Sequence, residues 1–213
     1  MSPRLEYAPV ARRGGGKLTA KGRQTRARII ETAAELMHEQ GVAETTIEHV
    51  RDTAGVSSSQ VYHYFADKQA LVLAVIDYQS DRIVGGQQPM FDRFDTLGGL
   101  RDWRDFLVEH QRSLGCRGGC PLGSLGVELA ELDDTARAGV AASFARWEAG
   151  IRTGLRAMHT EGRLAPHADP EALAMALLAA LQGGLLLTQL NRDTRPLEQA
   201  LDAVLSLVES LAV

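Results

Sequence analysis

With 213 residues, 45% of them hydrophobic, the chain is long enough for one large or two small domains with a sizeable core. Two cysteines exclude a disulfide framework and fit a reducing cytosol, and the N-terminus lacks the apolar stretch of a secretion signal. The net charge of −4 excludes a uniformly basic polyanion binder, yet residues 1–28 hold eight Lys or Arg against the single acid Glu6, so the rest is strongly acidic. Proline is sparse and strand-like alternation scarce, which predicts an all-α chain of about nine helices.

Residues 1–20 include Gly14–Gly15–Gly16 and mixed charge, and read as a disordered basic arm able to reach phosphate or a minor groove. A first helix is expected from about Lys21 to Gln40, with Ile30, Ala33, Ala34 and Met37 as its apolar stripe and Gly41 ending it. Its N-terminal Arg23, Arg26 and Arg28 are placed for a polyanion backbone. The organising stretch follows, TTIEHVRDTAGVSSSQVYHYFADK over residues 45–68. Thr46 can cap a helix that buries Ile47, Val50 and Ala54. Gly55 permits a sharp helix end, and Ser57 with Gln60 forms an S-x-x-Q capping box for the next helix. There Val61, Tyr64 and Phe65 can face inward, leaving Ser58, Ser59, Gln60, Tyr62 and His63 outside. Such short or flat hydrogen-bonding side chains, almost without charge, suit the reading of base edges in a major groove. Asp67 opens a fourth helix to about Val84, with Leu71, Ala74, Val75 and Tyr78 inward. Lys68 lies in its first turn, where its charge opposes the helix dipole; an adjacent phosphate would relieve that conflict.

Gly85–Gly86–Gln87–Gln88–Pro89 breaks the pattern, so residues 21–84 form one expected domain and 85–213 a second. A fifth helix, about Leu100–Leu114, sets Trp103, Phe106, Leu107, His110 and Leu114 on one face. A glycine-rich link carries Cys116 and Cys120, and Pro121 starts a sixth helix with Cys120 as its cap. Asp133 or Asp134 caps a seventh, to about Thr160, with the stripe Val140, Phe144, Trp147, Ile151, Leu155 and Met158. Asp169–Pro170 opens an eighth, to about Leu190. Its uncharged run 172–190 is long enough for a bilayer, but Gln182, Gln189, Thr188 and the acidic flanks favour a soluble helix buried on all sides, with no membrane partner. A ninth begins at Pro196, with Leu197, Ala200, Leu201, Val204, Val208 and Leu211 on its apolar face.

Thr46, Val50, Ala54, Gly55, Val56, Ser57, Val61, Tyr62, Tyr64, Phe65, Lys68 and Leu71 together resemble the DNA-binding domain of the tetracycline-repressor (TetR) family of bacterial regulators. The stretch departs from that pattern at His49–Val50–Arg51 and at Ser59, and the latter bears on which base is read. The resemblance implies a cytoplasmic, ligand-responsive transcriptional regulator, a repressor by family weight, with no cofactor and no catalytic residue. Its DNA-facing residues would be Arg23, Arg28, Thr45, Thr46, Ser57, Ser58, Ser59, Gln60, Tyr62, His63, Tyr64 and Lys68. The partner would be a double-stranded inverted-repeat operator, bound by a homodimer formed through the last two helices. An apolar inducer would be held by Trp103, Phe106, Leu107, His110, Cys120, Leu125, Phe144, Trp147, Ile151 and Gln182.

Residues 119–129 also resemble a G-C-x-x-G-x-x-x-x-E-L stretch of a subgroup, some members of which respond to electrophiles or oxidants through a cysteine. A thiol at a helix N-terminus beside Arg117 has a stabilised thiolate, so Cys116 and Cys120 are redox candidates, whereas two Cys plus His110 are too few for zinc. A cysteine-based sensor without a reversible ligand, or a helical scaffold that reads no DNA, are the competing readings. No phosphate loop, H-E-x-x-H or G-x-S-x-G motif supports an enzyme.

Overall fold

The computed structural model describes residues 18–213; the basic arm expected over residues 1–20 lies outside them up to residue 17. All the regular elements among the described residues are helical. They are α1 (Ala20–Gln40), α2 (Ile47–Ala54), α3 (Ser58–Tyr64), α4 (Lys68–Ile83), α5 (Gln88–Phe91), α6 (Leu97–Ser113), α7 (Pro121–Leu129), α8 (Asp134–Thr160), α9 (Pro170–Asn191) and α10 (Arg195–Ser210). The glycine-rich break expected at 85–89 is helical instead: a 3-10 turn over Gly85–Gln87 runs into the single turn of α5, with Pro89 early in that turn, where its missing N–H costs nothing.

The helices group into two compact units. One comprises the described residues up to Ile83 together with 124–143; the other comprises 84–123 and 144–213. The chain passes from one unit to the other after Ile83, and the end of α7 and the start of α8 group with the N-terminal helices rather than with the rest of 85–213. Gln69 donates to Asp133 at 3.0 Å, and a side chain added at Gly139 would meet Ile76 at 3.6 Å. Asp133 also caps α8 by accepting from the N–H groups of Thr135 and Ala136.

In the N-terminal unit the core follows the apolar period on α1, but on α4 the buried face is turned to Val72 and Ile76, leaving the expected Ala74 and Tyr78 half-buried, as Ile47 of α2 is. Ile29, Ile30, Ala33, Ala34 and Met37 of α1, Val50 and Ala54 of α2, Val61 of α3, and Leu71, Val72, Val75 and Ile76 of α4 are buried. In the other unit Leu100, Trp103, Leu107, Trp147, Ile151, Leu155 and Met158 are buried, with Phe91 and Phe94 stacked edge-on beside Trp103. The helices α9 and α10 pack side by side. A Cβ at Gly184 would stand 2.9 Å from the Leu197 Cα, so only glycine lets the two backbones come this close.

Helix α9 is not buried on all sides within the chain. Leu173, Leu177, Leu178, Leu181 and Leu185 are covered, but Met175, Leu186, Leu187 and Leu190 are exposed, as is Leu207 on α10. By length and composition α9 could cross a membrane. Its 18-residue apolar window is 44% buried, which divides it into a packed face and an open one.

Candidate nucleic-acid interface

Two short helices and the turn between them form the site. Thr46 caps α2, its Oγ1 accepting from the His49 N–H at 3.1 Å. The helix ends at Gly55 in the left-handed region, φ 62°, the conformation that reverses the chain without a Cβ clash. Ser57 then starts α3 through a reciprocal box: its Oγ accepts from the Gln60 N–H at 3.2 Å, and Gln60 Oε1 accepts from the Ser57 N–H at 2.9 Å. Only Val61 of α3 is buried, with Phe65 just beyond its end. Ser58, Ser59, Gln60, Tyr62 and His63 are exposed, with Tyr62 at 53%, so the helix presents a polar face held by its apolar seam. Tyr64 is half-buried, edge-on to His63 at 4.9 Å between ring centres.

Several nominated side chains have other duties. Thr45 is 1% exposed, and its Oγ1 donates to the Gly41 carbonyl at 2.7 Å while accepting from Gln40 at 3.2 Å. It is a strut inside the α1–α2 turn, not a surface contact, because its hydroxyl is needed to close that turn. Gln60 spends its carbonyl oxygen on the capping box, and the Ser59 hydroxyl lies 2.9 Å from that of Ser57. Lys68 is half-buried and donates to the Ala43 carbonyl at 3.2 Å, so a local acceptor answers its charge. Arg23 is exposed and reaches the Leu18 carbonyl at 2.7 Å, and Arg28 is exposed. Arg26 instead lies over the Phe65 ring at 5.3 Å, where it packs rather than projects. Sequence reasoning passed over Arg51, treating it as a departure from pattern. It pairs with Asp52 at 2.6 Å and donates to Ser58 Oγ at 3.3 Å, which puts a guanidinium at the first turn of α3. Its place one helical turn before Gly55 is the signal that could have found it.

A profile of the bacterial regulatory proteins of the tetR family matches residues 29–75, and one of the tetracyclin repressor-like C-terminal domain matches 97–204. The chain belongs to the tetR family of bacterial regulators. It is 28% identical over 186 residues to an HTH-type transcriptional regulator of Lactococcus lactis subsp. lactis, covering 84% of this chain and 91% of the other. It is 23% identical to the HTH-type transcriptional repressor DhaR of a Mycobacterium species, over 84% and 89% of the two chains. In fold it is similar to a TetR transcriptional regulator of Chloroflexus aurantiacus, with a TM-score of 0.77, 23% identity, and coverage of 91% and 98%. As a tetR-family protein it is a DNA-binding transcriptional regulator, and α2, the Gly55 turn and α3 are its helix-turn-helix.

In this tetR-family chain the residues nominated for an inducer differ in burial and in their partners. Trp103 is fully buried, and its Nε1 donates to Gln87 Oε1 at 2.7 Å, which makes it a satisfied core residue. His110 is exposed and stacks on half-buried Phe106, 6.1 Å between ring centres, because the buried face of α6 runs through Leu100, Trp103, Leu107 and Gln111 instead. Leu125 and Ile151 are buried, and Trp147 is buried beneath half-buried Phe144 with the rings near parallel. Gln182 and Cys120 do come together. The Gln182 side chain is hydrogen-bonded to the thiol, and a Cβ at Gly123 would lie 3.2 Å from Gln182 Oε1 and 3.3 Å from Cys120 Cβ. Gln111 Oε1 and Trp147 Nε1 are buried without a hydrogen-bond partner among the described residues. Gln111 was not nominated, because a lone glutamine on an apolar face carries no motif. A cleft of about 360 Å³ is lined by Val84, Phe91, Asp95, Arg146, Gly150 and Gly154 among others, and none of the nominated residues lines it.

Cys120 caps α7 as expected, its Sγ accepting from the Gly123 N–H at 3.3 Å. The expected thiolate is opposed, however. Burial pushes the Cys120 thiol up, and that outweighs the Gly123 and Leu122 N–H groups and Gln182, which pull it down. Cys116 is also buried. Desolvation thus defeats the helix terminus, and the basis for a reactive pair weakens. Among the described residues no group of three metal-binding side chains is present.

Proposed function

We propose that the protein is a repressor that binds an inverted-repeat operator as a homodimer and is released by a small, largely apolar molecule. The carrying observation is the exposed polar face of α3, from Ser58 to His63, fixed in place by the Ser57–Gln60 capping box. Tyr62 and His63 read bases, while Thr46, Lys68, Arg28 and the Arg51–Ser58 pair hold phosphates. The exposed Met175, Leu186, Leu187, Leu190 and Leu207 support pairing of α9 and α10 with the same helices of a second copy as a four-helix bundle. Residues 21–83 with 124–143 are the reader, and the rest of 85–213 senses and dimerises. The buried, unpaired polar atoms of Gln111 and Trp147 support a site for a ligand with a few polar groups. The name of the Mycobacterium relative supports repression.

The test is selection of duplexes from a random pool, followed by salt-dependent binding. Wild type enriches an inverted repeat. Tyr62→Ala and Lys68→Ala each weaken binding about tenfold, and Lys68→Ala lowers the slope of log K against log salt by about one. Enrichment of no sequence at low salt overturns the reading in favour of a scaffold.

A further inference from the structure

The reader is held by a residue far outside its own motif. Glu128, near the C-terminal end of α7, accepts from the Val42 N–H at 2.8 Å and the Ala43 N–H at 2.7 Å, across 86 and 85 positions of sequence. Both its oxygens are used, one on each amide, and a Cβ at Gly41 would meet both at 3.3 Å. The turn from Gly41 to Thr46 has no other partner for these two N–H groups in this structure: the Gly41 carbonyl goes to Thr45 Oγ1 and the Ala43 carbonyl to Lys68 Nζ. Glu128 thus grips the donors of the turn while Lys68 grips an acceptor, and Thr46 leaves the turn directly as the cap of α2.

A surface turn with two unanswered N–H groups would exchange them with water and sample several conformations. Two charge-assisted hydrogen bonds from one carboxylate select a single conformation. The residues so fixed, Thr46 and Lys68, are those assigned above to phosphates. We propose that Glu128 is a positioning residue for DNA binding: its carboxylate sets the α1–α2 turn so that Thr46 and Lys68 meet the phosphate backbone together. This rests on the operator-binding reading. Glu128 itself need touch no DNA.

The experiment uses the full-length protein and the duplex that wild type enriches from a random pool. Glu128→Ala and the size-matched Glu128→Gln are compared with Val127→Ser, a change at an 87% exposed neighbour on the same helix. Hydrogen exchange at the Val42 and Ala43 amides speeds up at least tenfold in Glu128→Ala and less in Glu128→Gln, which keeps one acceptor. Operator affinity falls about tenfold in Glu128→Ala, and the salt slope falls by about one as a phosphate contact is lost. Val127→Ser changes neither. Loss of thermal stability with an unchanged salt slope would mean a merely structural role and overturns the proposal. Affinity within about twofold of wild type in both Glu128 variants overturns it as well. If wild type enriches no duplex, the operator-binding reading itself fails and this proposal falls with it.

Discussion

Helix α3 and helix α9 are opposite solutions to the use of an exposed surface. The first has seven residues, buries Val61 and shows hydroxyls, an amide, an imidazole and a phenol. It is too short to be stable alone, so its order comes from caps at the start and an apolar seam behind. The second has 22 residues, packs tightly on α10, and leaves Met175, Leu186, Leu187 and Leu190 in the open. A polar exposed face is at equilibrium with water and waits for a polar partner. An apolar exposed face is out of balance with water and calls for a permanent one. In the proposed reading the reader engages reversibly and salt-dependently, whereas a second copy keeps the α9–α10 face covered.

The open face of α9 carries the largest expected effect. Leu187→Glu puts a charge into the proposed apolar contact and should weaken the proposed dimer by roughly 3 kcal/mol, about a hundredfold in its dissociation constant. Sedimentation of wild type and variant over a range of concentrations checks this. A wild type that sediments as a monomer throughout removes the proposed role of the face. Trp103→Phe tests core against pocket. It removes the buried hydrogen bond to Gln87 Oε1 and should cost about 1 kcal/mol in denaturant unfolding. Operator release by any inducer found should stay within twofold, since the indole is a structural donor. Ser57→Ala opens the capping box and should cost about 1 kcal/mol, read as a lower thermal midpoint, with operator affinity falling alongside because α3 frays.

The smallest effect is one of pH. Burial lowers His38 on α1 below its ordinary value of 6.5, partly offset by Glu39. The unfolded chain takes up this proton first, so stability is full above about pH 6.5 and declines as pH falls from there towards the depressed folded value. In His38→Gln the fall in thermal midpoint between about pH 7 and 5.5 should be shallower than in wild type. Equal slopes would show that other groups carry the acid response.

Local signals were legible where chemistry is local. The S-x-x-Q box, the Gly55 reversal, and the caps at Thr46, Cys120 and Asp169 all fall where their spacing put them. The apolar stripe of α1 is buried as its period requires, and so is that of α8 apart from half-buried Phe144. Helix faces one step off the seam were harder. Rotation by a single residue exchanged Gln111 for His110 on α6, and a helical period read without its neighbours tolerates that error. The thiol of Cys120 was misjudged for a related reason. Its helix terminus is written in the chain, but the burial that outweighs it is not.

The amino-acid order was enough for the longer helices, most of their caps and the family's reader, because capping and amphipathic periodicity act over three or four residues. It was not enough to show that Thr45 turns inward, that Trp103 finds Gln87, or that residues 124–143 pack with the N-terminal helices. Nor did it point from Glu128 to the amides of Val42 and Ala43. Those pairings span up to 86 positions, and a hydrogen bond between distant residues has no period to betray it. It exists only once the packing of the helices brings donor and acceptor within about 3 Å.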